Sequence, residues 1–174
     1  MRKASFITIV SLLFLAVLPS CLKSEVDEYE EWRKLNDAYT RAIDTIEYQK
    51  VVPVWAPMHS VYMKWHNNRA LTAGNLVPIS TSTVRVKYEM EDINGKKLGN
   101  SYKSNGDSIY ESKVNSNIVG FWAGLTTMHV GDSVTMIIPY GSAYGSRTVA
   151  SSMPYTNLIY HVKLVSIPAY EKPL

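Results

Sequence analysis

The sequence predicts an α+β fold in which an antiparallel sheet folds around one short helix and a longer helix precedes the sheet. Before Pro53, apolar residues from Val26 to Ile46 recur at three- and four-residue spacings, which indicates an amphipathic helix. After Pro57, only the stretch Phe121–Met128 has a helical pattern. The predicted strands are rich in β-branched and aromatic residues and span Ser60–Trp65, Thr81–Met90, Ser133–Ile138 and Leu158–Ile167.

Size and charge favour one globular domain. The 174 residues are 46% hydrophobic and 19% charged, with 18 Lys and Arg against 15 Asp and Glu. This composition is neither that of a disordered chain nor that of a protein with several domains. No run of basic residues is longer than two, so we expect no nucleic-acid partner.

The N-terminal residues have the pattern of a secretory signal. Arg2 and Lys3 precede an uncharged, largely apolar run from Ile7 to Leu18, which is too short to span a bilayer comfortably. The run leads to Leu-Pro-Ser-Cys, which resembles a bacterial lipobox and contains the only cysteine, Cys21. We therefore expect cleavage after residue 20 and acylation of Cys21, giving an outer-membrane lipoprotein that faces the periplasm or the cell surface. The alternative is an ordinary signal peptide with an incidental cysteine.

After the signal peptide of residues 1–20, residues 21–57 are predicted to form an acidic tether, a helix and a proline-containing linker. The acidic residues after the cysteine resemble the export signal of surface-displayed lipoproteins of the Bacteroidetes group. They equally suit a first helical turn, because Ser24 and Asp27 form the pattern of a capping box. The helix is expected to be about 24 residues long and to end near Gln49, before the prolines of the linker.

The second predicted strand has one apolar and one charged face. Its side chains alternate between Val84, Val86, Tyr88 and Met90 on one face and Arg85, Lys87 and Glu89 on the other. One face is therefore buried and needs a cover, for which the short helix near Trp122 is the available element. The crevice between this helix, the sheet and the loops is the expected ligand site. Asn94-Gly95 favours a tight reversal after the strand.

Five motifs follow one another between residues 84 and 167. They are Val86-Lys87-Tyr88 with Asn94-Gly95-Lys96-Lys97, then Ile118–Leu125, Met128–Asp132, Ile138-Pro139 with Ala143-Tyr144-Gly145, and Met153–Tyr160. In this order they resemble the FKBP-type peptidyl-prolyl cis-trans isomerase family. Residues 58–174 are accordingly predicted to form an FKBP-like domain, an antiparallel half-barrel sheet wrapped around the short helix.

The resemblance also implies an activity and a site. Family members rotate the peptide bond before a proline, which requires no cofactor or metal and implies proline-containing polypeptides as partners. The resemblance implies that Tyr144 and the backbone N–H of Ile118 donate hydrogen bonds to the substrate, above a pocket floor formed by Phe121. The implied walls and neighbouring pocket residues are Tyr88, Leu98, Asn117, Tyr155 and Tyr160.

The chain departs from the family pattern around this pocket. Leu98-Gly99 stands where the family has Phe-Asp, so the usual acidic side chain is absent, and a wall aromatic expected near Ser108 is missing. Two hypotheses remain. The chain is a peptidyl-prolyl isomerase that assists the folding of envelope or secreted proteins, or it is a non-catalytic chaperone or binding module with a degenerate pocket. The sequence leaves the oligomeric state open.

Other chemistries lack the residues that they need. The four histidines have no zinc-binding spacing and no second cysteine beside them, so no metal site is predicted. Ser142 stands one position early for a G-x-S-x-G nucleophile elbow, and no phosphate-binding glycine loop occurs. The function is therefore sought in the aromatic pocket.

Overall fold

The computed structural model describes residues 25–102, 108–149 and 151–169, so the predicted signal peptide, Cys21 and the Ser24 cap lie outside it. Within these ranges, no helix is both long and apolar enough to cross a membrane. The elements are α1 (Glu25–Arg41), β1 (Gln49–Val51), β2 (Val61–Trp65), β3 (Thr83–Glu91), β4 (Lys97–Asn100), β5 (Tyr110–Lys113), α2 (Val119–Leu125), β6 (Ser133–Ile138) and β7 (Leu158–Ala169).

The strands of the described residues form one antiparallel sheet of seven strands. Six follow the order β1-β2-β6-β7-β3-β4, and β5 also pairs with β3. β7 pairs along the whole of β3, so β4 and β5 share the opposite edge of β3, at its two ends. The prediction of an α+β fold with an N-terminal helix and an antiparallel sheet is confirmed.

The inner face of the sheet packs against α2. Along β3, Val84 and Val86 are fully buried while Arg85 is exposed, as the alternation of the sequence predicts. From the helix, Phe121 and Leu125 enter the same hydrophobic core. The short helix therefore covers the face that the sequence predicts to be buried.

Gly120 lets α2 approach β6 closely. A Cβ atom at this position would overlap the Cγ2 methyl group of Ile138, a fully buried side chain with little freedom to move. We therefore expect Gly120→Ala to lower the free energy of unfolding by about 1–3 kcal/mol through overpacking. Gly74→Ala is the matched control, because open space surrounds Gly74. Urea unfolding of both variants checks this, and equal stabilities would contradict the close packing.

The N-terminal helix is shorter than predicted. It ends at Arg41 instead of near Gln49, because the chain turns at Asp44. The Asp44 carboxylate accepts a hydrogen bond from Ile46 N at 2.7 Å, and the Asp44 carbonyl accepts one from Tyr48 N at 2.9 Å. Gln49 then begins β1, which adds an edge strand to the sheet within the stretch predicted as helix and linker.

The outer face of the sheet is covered in part by α1. Tyr62, Ile137 and Ile159 lie on neighbouring strands and form a small second core with Tyr39 and Ile43. The N-terminal helix therefore packs on the sheet, on the face opposite to α2.

Candidate functional site

A pocket of about 250 Å³ lies where the start of α2 meets the inner face of the sheet and the loop after β6. Phe121 and Ile118 line it from the helix end, Tyr88 and Tyr160 from β3 and β7, and Tyr144 from the loop. The complete lining is Tyr88, Met90, Tyr110, Ser116, Asn117, Ile118, Phe121, Tyr144 and Tyr160. Six of the eight residues that the resemblance implies are thus brought together.

Aromatic rings form the floor and walls of the pocket. Phe121 is 3% exposed, and its ring centroid lies 4.8 Å from that of Tyr160. The Tyr88 ring lies 5.6 Å from the Tyr160 ring and makes an edge-on contact, also at 5.6 Å, with Tyr110. These separations are typical of favourable aromatic pairs, which hold one another in place. The result is a concavity with largely aromatic walls.

Tyr144 lies in a tight turn that directs its side chain to the pocket. The carbonyl of Tyr140 accepts hydrogen bonds from the N–H groups of Ala143 and Gly145, on either side of Tyr144. Gly145 has φ +62°, a conformation that glycine adopts without strain. The Tyr144 hydroxyl has no hydrogen-bond partner among the described residues. Burial raises the pKa of Tyr144, so the hydroxyl is a protonated donor at neutral pH.

Ile118 supplies a second free donor at the start of α2. Its backbone N–H makes no hydrogen bond within the described part of the chain, as is common for the first N–H groups of a helix. The preceding side chain is fixed, because Asn117 Nδ2 donates to the carbonyls of Lys113 and Val114 and to Ser112 Oγ. The pocket therefore presents two unpaired hydrogen-bond donors, the Tyr144 hydroxyl and the Ile118 N–H, among uncharged, largely aromatic walls.

The pocket carries no acidic or basic side chain in its lining. Its ionisable groups are tyrosines, and burial raises the pKa of Tyr88 and that of Tyr160. These hydroxyls are therefore neutral at physiological pH. The arrangement suits a ligand that is itself uncharged, with an apolar ring and a carbonyl oxygen.

Two residues implied as pocket residues lie elsewhere. Leu98 packs against the main core from β4 and does not line the pocket. Tyr155 has φ +58° and makes an edge-on contact with the Tyr140 ring at 5.5 Å. The guanidinium of Arg33, on α1, lies 5.1 Å from the centre of the Tyr155 ring. Tyr155 thus belongs to the contact between the N-terminal helix and the loop.

Three lining residues, Tyr110, Met90 and Ser116, were not predicted as site residues. Tyr110, on β5, supplies a wall aromatic, although sequence reasoning expected one near Ser108 and found it missing. Met90 was predicted to face the core, and its Cε methyl lies 3.3 Å from the position that a Cβ on Gly99 would occupy. The absent side chain at position 99 is therefore replaced in space by a methionine. The alternation of β3 carried a signal for Met90, whereas the short strand β5 carried none.

A larger cavity of about 630 Å³ shares no lining residue with the aromatic pocket. Its wall includes Trp55 and Trp122, whose rings are stacked with centroids 3.8 Å apart. The smaller pocket is the candidate site, because free hydrogen-bond donors and aromatic walls converge there.

An antiparallel sheet around a short helix, with an uncharged aromatic pocket at the start of that helix, defines an FKBP-like protein. Residues 76–165, just over half of the chain, match the family model of the FKBP-type peptidyl-prolyl cis-trans isomerase. The chain belongs to this family.

Sequence relatives come from Escherichia coli (strain K12). The FKBP-type 22 kDa peptidyl-prolyl cis-trans isomerase is 35% identical over 92 residues, which are 52% of this chain and 44% of the relative. The FKBP-type peptidyl-prolyl cis-trans isomerase FkpA is 30% identical over 90 residues, which are 52% of this chain and 33% of that protein. The chain thus spans less than half the length of these curated relatives.

Solved structures share the fold. A peptidyl-prolyl cis-trans isomerase from Pseudomonas syringae pv. tomato str. DC3000 has a TM-score of 0.63 at 17% identity, covering 83% of this chain and 96% of that one. FkpA from Escherichia coli also has a TM-score of 0.63, at 20% identity, covering 80% of this chain and 62% of that one. At these identities the likeness establishes the fold.

Proposed function

We propose that the protein is a peptidyl-prolyl cis-trans isomerase whose aromatic pocket binds the proline ring of a polypeptide. The observation that carries the proposal is the pairing of two free donors, the Tyr144 hydroxyl and the Ile118 N–H, with an uncharged aromatic pocket. A proline ring is apolar, and the carbonyl of the bond to be rotated needs hydrogen-bond donors. Phe121 forms the floor on which the ring lies.

The reaction requires no nucleophile and no proton transfer. Rotation of a peptide bond is opposed by a barrier of about 18–20 kcal/mol, because twisting destroys the resonance between nitrogen and carbonyl. The twisted amide has a smaller dipole than the planar one. An apolar, water-poor site therefore destabilises the planar state more than the twisted state, which lowers the barrier. The aromatic walls supply that environment. Donors that hold the carbonyl fix one end of the bond while the other end turns.

The wall formed by Tyr110 favours catalysis over the non-catalytic hypothesis. Catalysis by desolvation depends on an unbroken apolar wall, and Tyr110 contacts Tyr88 at the side where a gap was expected. Met90 takes the space beside Gly99, where the family has an acidic side chain.

We expect Tyr144→Phe to lower kcat/KM for an X-Pro peptide by about tenfold, which corresponds to about 1.4 kcal/mol of transition-state stabilisation. The change removes one hydroxyl donor and keeps the ring. Tyr102→Phe is the matched control, because Tyr102 is 53% exposed and does not line the pocket. The measurement is cis–trans exchange of the peptide in the presence of the full chain. A folded protein that does not accelerate exchange would favour the non-catalytic binding module.

The membrane anchor and the clients remain proposals from the sequence. We propose that Cys21 carries lipid and that the clients are envelope or secreted proteins, which an anchored isomerase would meet as they fold. Labelling of cells with radioactive palmitate tests the anchor. We expect the full chain to incorporate the label and Cys21→Ser to lose it, and equal labelling of the two would contradict the anchor.

A further inference from the structure

The helix α1 precedes the region that matches the family, and its buried face contacts the loop that carries Tyr144. We propose that α1 positions the active site, with Asn36 and Asn157 as positioning residues that hold together the two ends of this loop, which joins β6 to β7. The inference rests on the proposed function, because it assigns the helix a part in isomerisation.

Asn36 and Asn157 join the helix to the start of β7 by paired hydrogen bonds, and both residues are fully buried. Asn157 N donates to Asn36 Oδ1 at 2.8 Å, and Asn157 Nδ2 donates to the Asn36 carbonyl at 2.7 Å. Asn157 Nδ2 also donates to Thr40 Oγ1, and Asn36 Nδ2 donates to the carbonyl of Trp32. Because Asn157 Oδ1 also accepts from Tyr140 N, the oxygen and nitrogen of both side-chain amides are hydrogen-bonded, which fixes the distance and the angle of the contact.

The network continues from Asn157 to Tyr144. Asn157 Oδ1 accepts a hydrogen bond from Tyr140 N at 2.9 Å, where the loop leaves β6. The Tyr140 carbonyl in turn accepts from Ala143 N at 3.0 Å and from Gly145 N at 2.9 Å. Tyr144 lies between these two residues. One side-chain amide therefore fixes the backbone that orients the catalytic hydroxyl.

The helix also holds the returning end of the same loop. Trp32 Nε1 donates to Thr156 Oγ1 at 2.9 Å, and the Arg33 guanidinium lies over the Tyr155 ring. Tyr155 N donates to the carbonyl of Gly145 at 2.8 Å, next to Tyr144. The helix therefore contacts both ends of the loop, the first through Asn157 and the second directly.

Positioning matters because a hydrogen-bond donor aids catalysis only when it is held close to its productive place. Asn36 lies outside the pocket lining, so it acts through the loop and not on the substrate. Directional hydrogen bonds between buried amides specify one arrangement, whereas an apolar contact of the same area would allow the helix to slide.

A double-mutant cycle in the full chain tests the proposal. In the wild-type background, Asn36→Ala is expected to lower kcat about tenfold, with a smaller change in KM. In a Tyr144→Phe background, the same substitution is expected to lower kcat by less than about twofold. Val134→Ala, a buried deletion outside the pocket, is the control for lost stability and is expected to keep kcat. Equal losses from Asn36→Ala in the two backgrounds would overturn the proposal, as would no loss in either. Thr40→Val removes the hydroxyl that accepts from Asn157 Nδ2 and donates to the Asn36 carbonyl, and it repeats the test if Asn36→Ala does not fold.

A second readout separates this inference from the proposed function. A 3-fluorotyrosine placed at position 144 reports on the ring without any need for activity. We expect its fluorine resonance to shift or broaden in Asn36→Ala and to stay unchanged in Val134→Ala. If the chain is inactive but the resonance moves, the positioning role stands and the isomerase proposal fails. An unchanged resonance in Asn36→Ala would overturn the positioning role.

Discussion

Replacing Phe121 with alanine is expected to lower the free energy of unfolding by about 3–5 kcal/mol and to remove isomerase activity from the molecules that still fold. Phe121 is almost fully buried, and its ring is the floor of the pocket against Tyr160. Alanine leaves a void beneath the expected position of the proline ring. Water in that void would solvate the planar amide and restore the barrier that desolvation lowers.

Leu125→Ala is the matched control for this loss. Leu125 lies one turn further along α2, is fully buried in the same core, and does not line the pocket. Urea unfolding gives the stability of each variant, and kcat/KM is then compared per folded molecule. We expect a similar loss of stability in the two variants and a loss of catalysis in Phe121→Ala alone. Full activity of folded Phe121→Ala would mean that the floor of the pocket plays no part in catalysis.

Replacing Asp132 with asparagine is expected to lower the free energy of unfolding by about 3–5 kcal/mol at neutral pH. The substitution removes a buried negative charge from a site that holds three hydrogen-bond donors and an arginine side chain. The carboxylate is fully buried just before β6. Thr72 Oγ1 donates to it at 2.5 Å, Asn67 Nδ2 at 2.9 Å and His129 N at 2.8 Å. Arg69 Nε forms an ion pair with it at 3.5 Å.

The same carboxylate gives stability a pH dependence. Burial alone would raise the pKa of Asp132, but hydrogen bonds from Thr72, His129 N and Asn67, together with Arg69, lower it below its ordinary value. The stabilisation is therefore complete above the ordinary aspartate pKa of about 4 and is lost as the pH falls through the lower, folded-state value.

Urea unfolding from neutral to acid pH checks the contribution of Asp132. The wild type is expected to lose more stability below about pH 4 than Asp132→Asn does, since the variant has no carboxylate to protonate at this position. Glu30→Gln, on the exposed surface of α1, should follow the wild type. Parallel acid profiles of the wild type and Asp132→Asn would contradict the assignment.

Elements with a strong local pattern could be predicted from the sequence. The alternation from Val84 to Met90 fixed which face of β3 is buried, and the β-branched run gave the bounds of β6 as the structure has them. The reversal at Asn94-Gly95 is also confirmed, with Gly95 at φ +78°. In each case the local conformation and the burial of the side chains favour the same structure.

Elements set by tertiary contacts could not be predicted in the same way. β1 is three residues long and exists because β2 offers it a free edge. Tyr110 reaches the pocket because β5 pairs with the start of β3, a register that no local pattern carries. Asn36 has the polar side chain typical of a helix surface, and its burial depends on Asn157, which lies far away in sequence. Contacts of this kind decide how complete the pocket is.

Titration of the isotope-labelled full chain with an X-Pro peptide, followed by NMR, tests directly whether the aromatic pocket catalyses isomerisation. We expect the amide resonances of Ile118 and Phe121 to shift, and the cis and trans signals of the peptide to exchange faster in the same samples. Exchange that accelerates while these resonances stay in place would locate catalysis outside the aromatic pocket. Shifts without acceleration would show a pocket that binds proline peptides and does not turn them over.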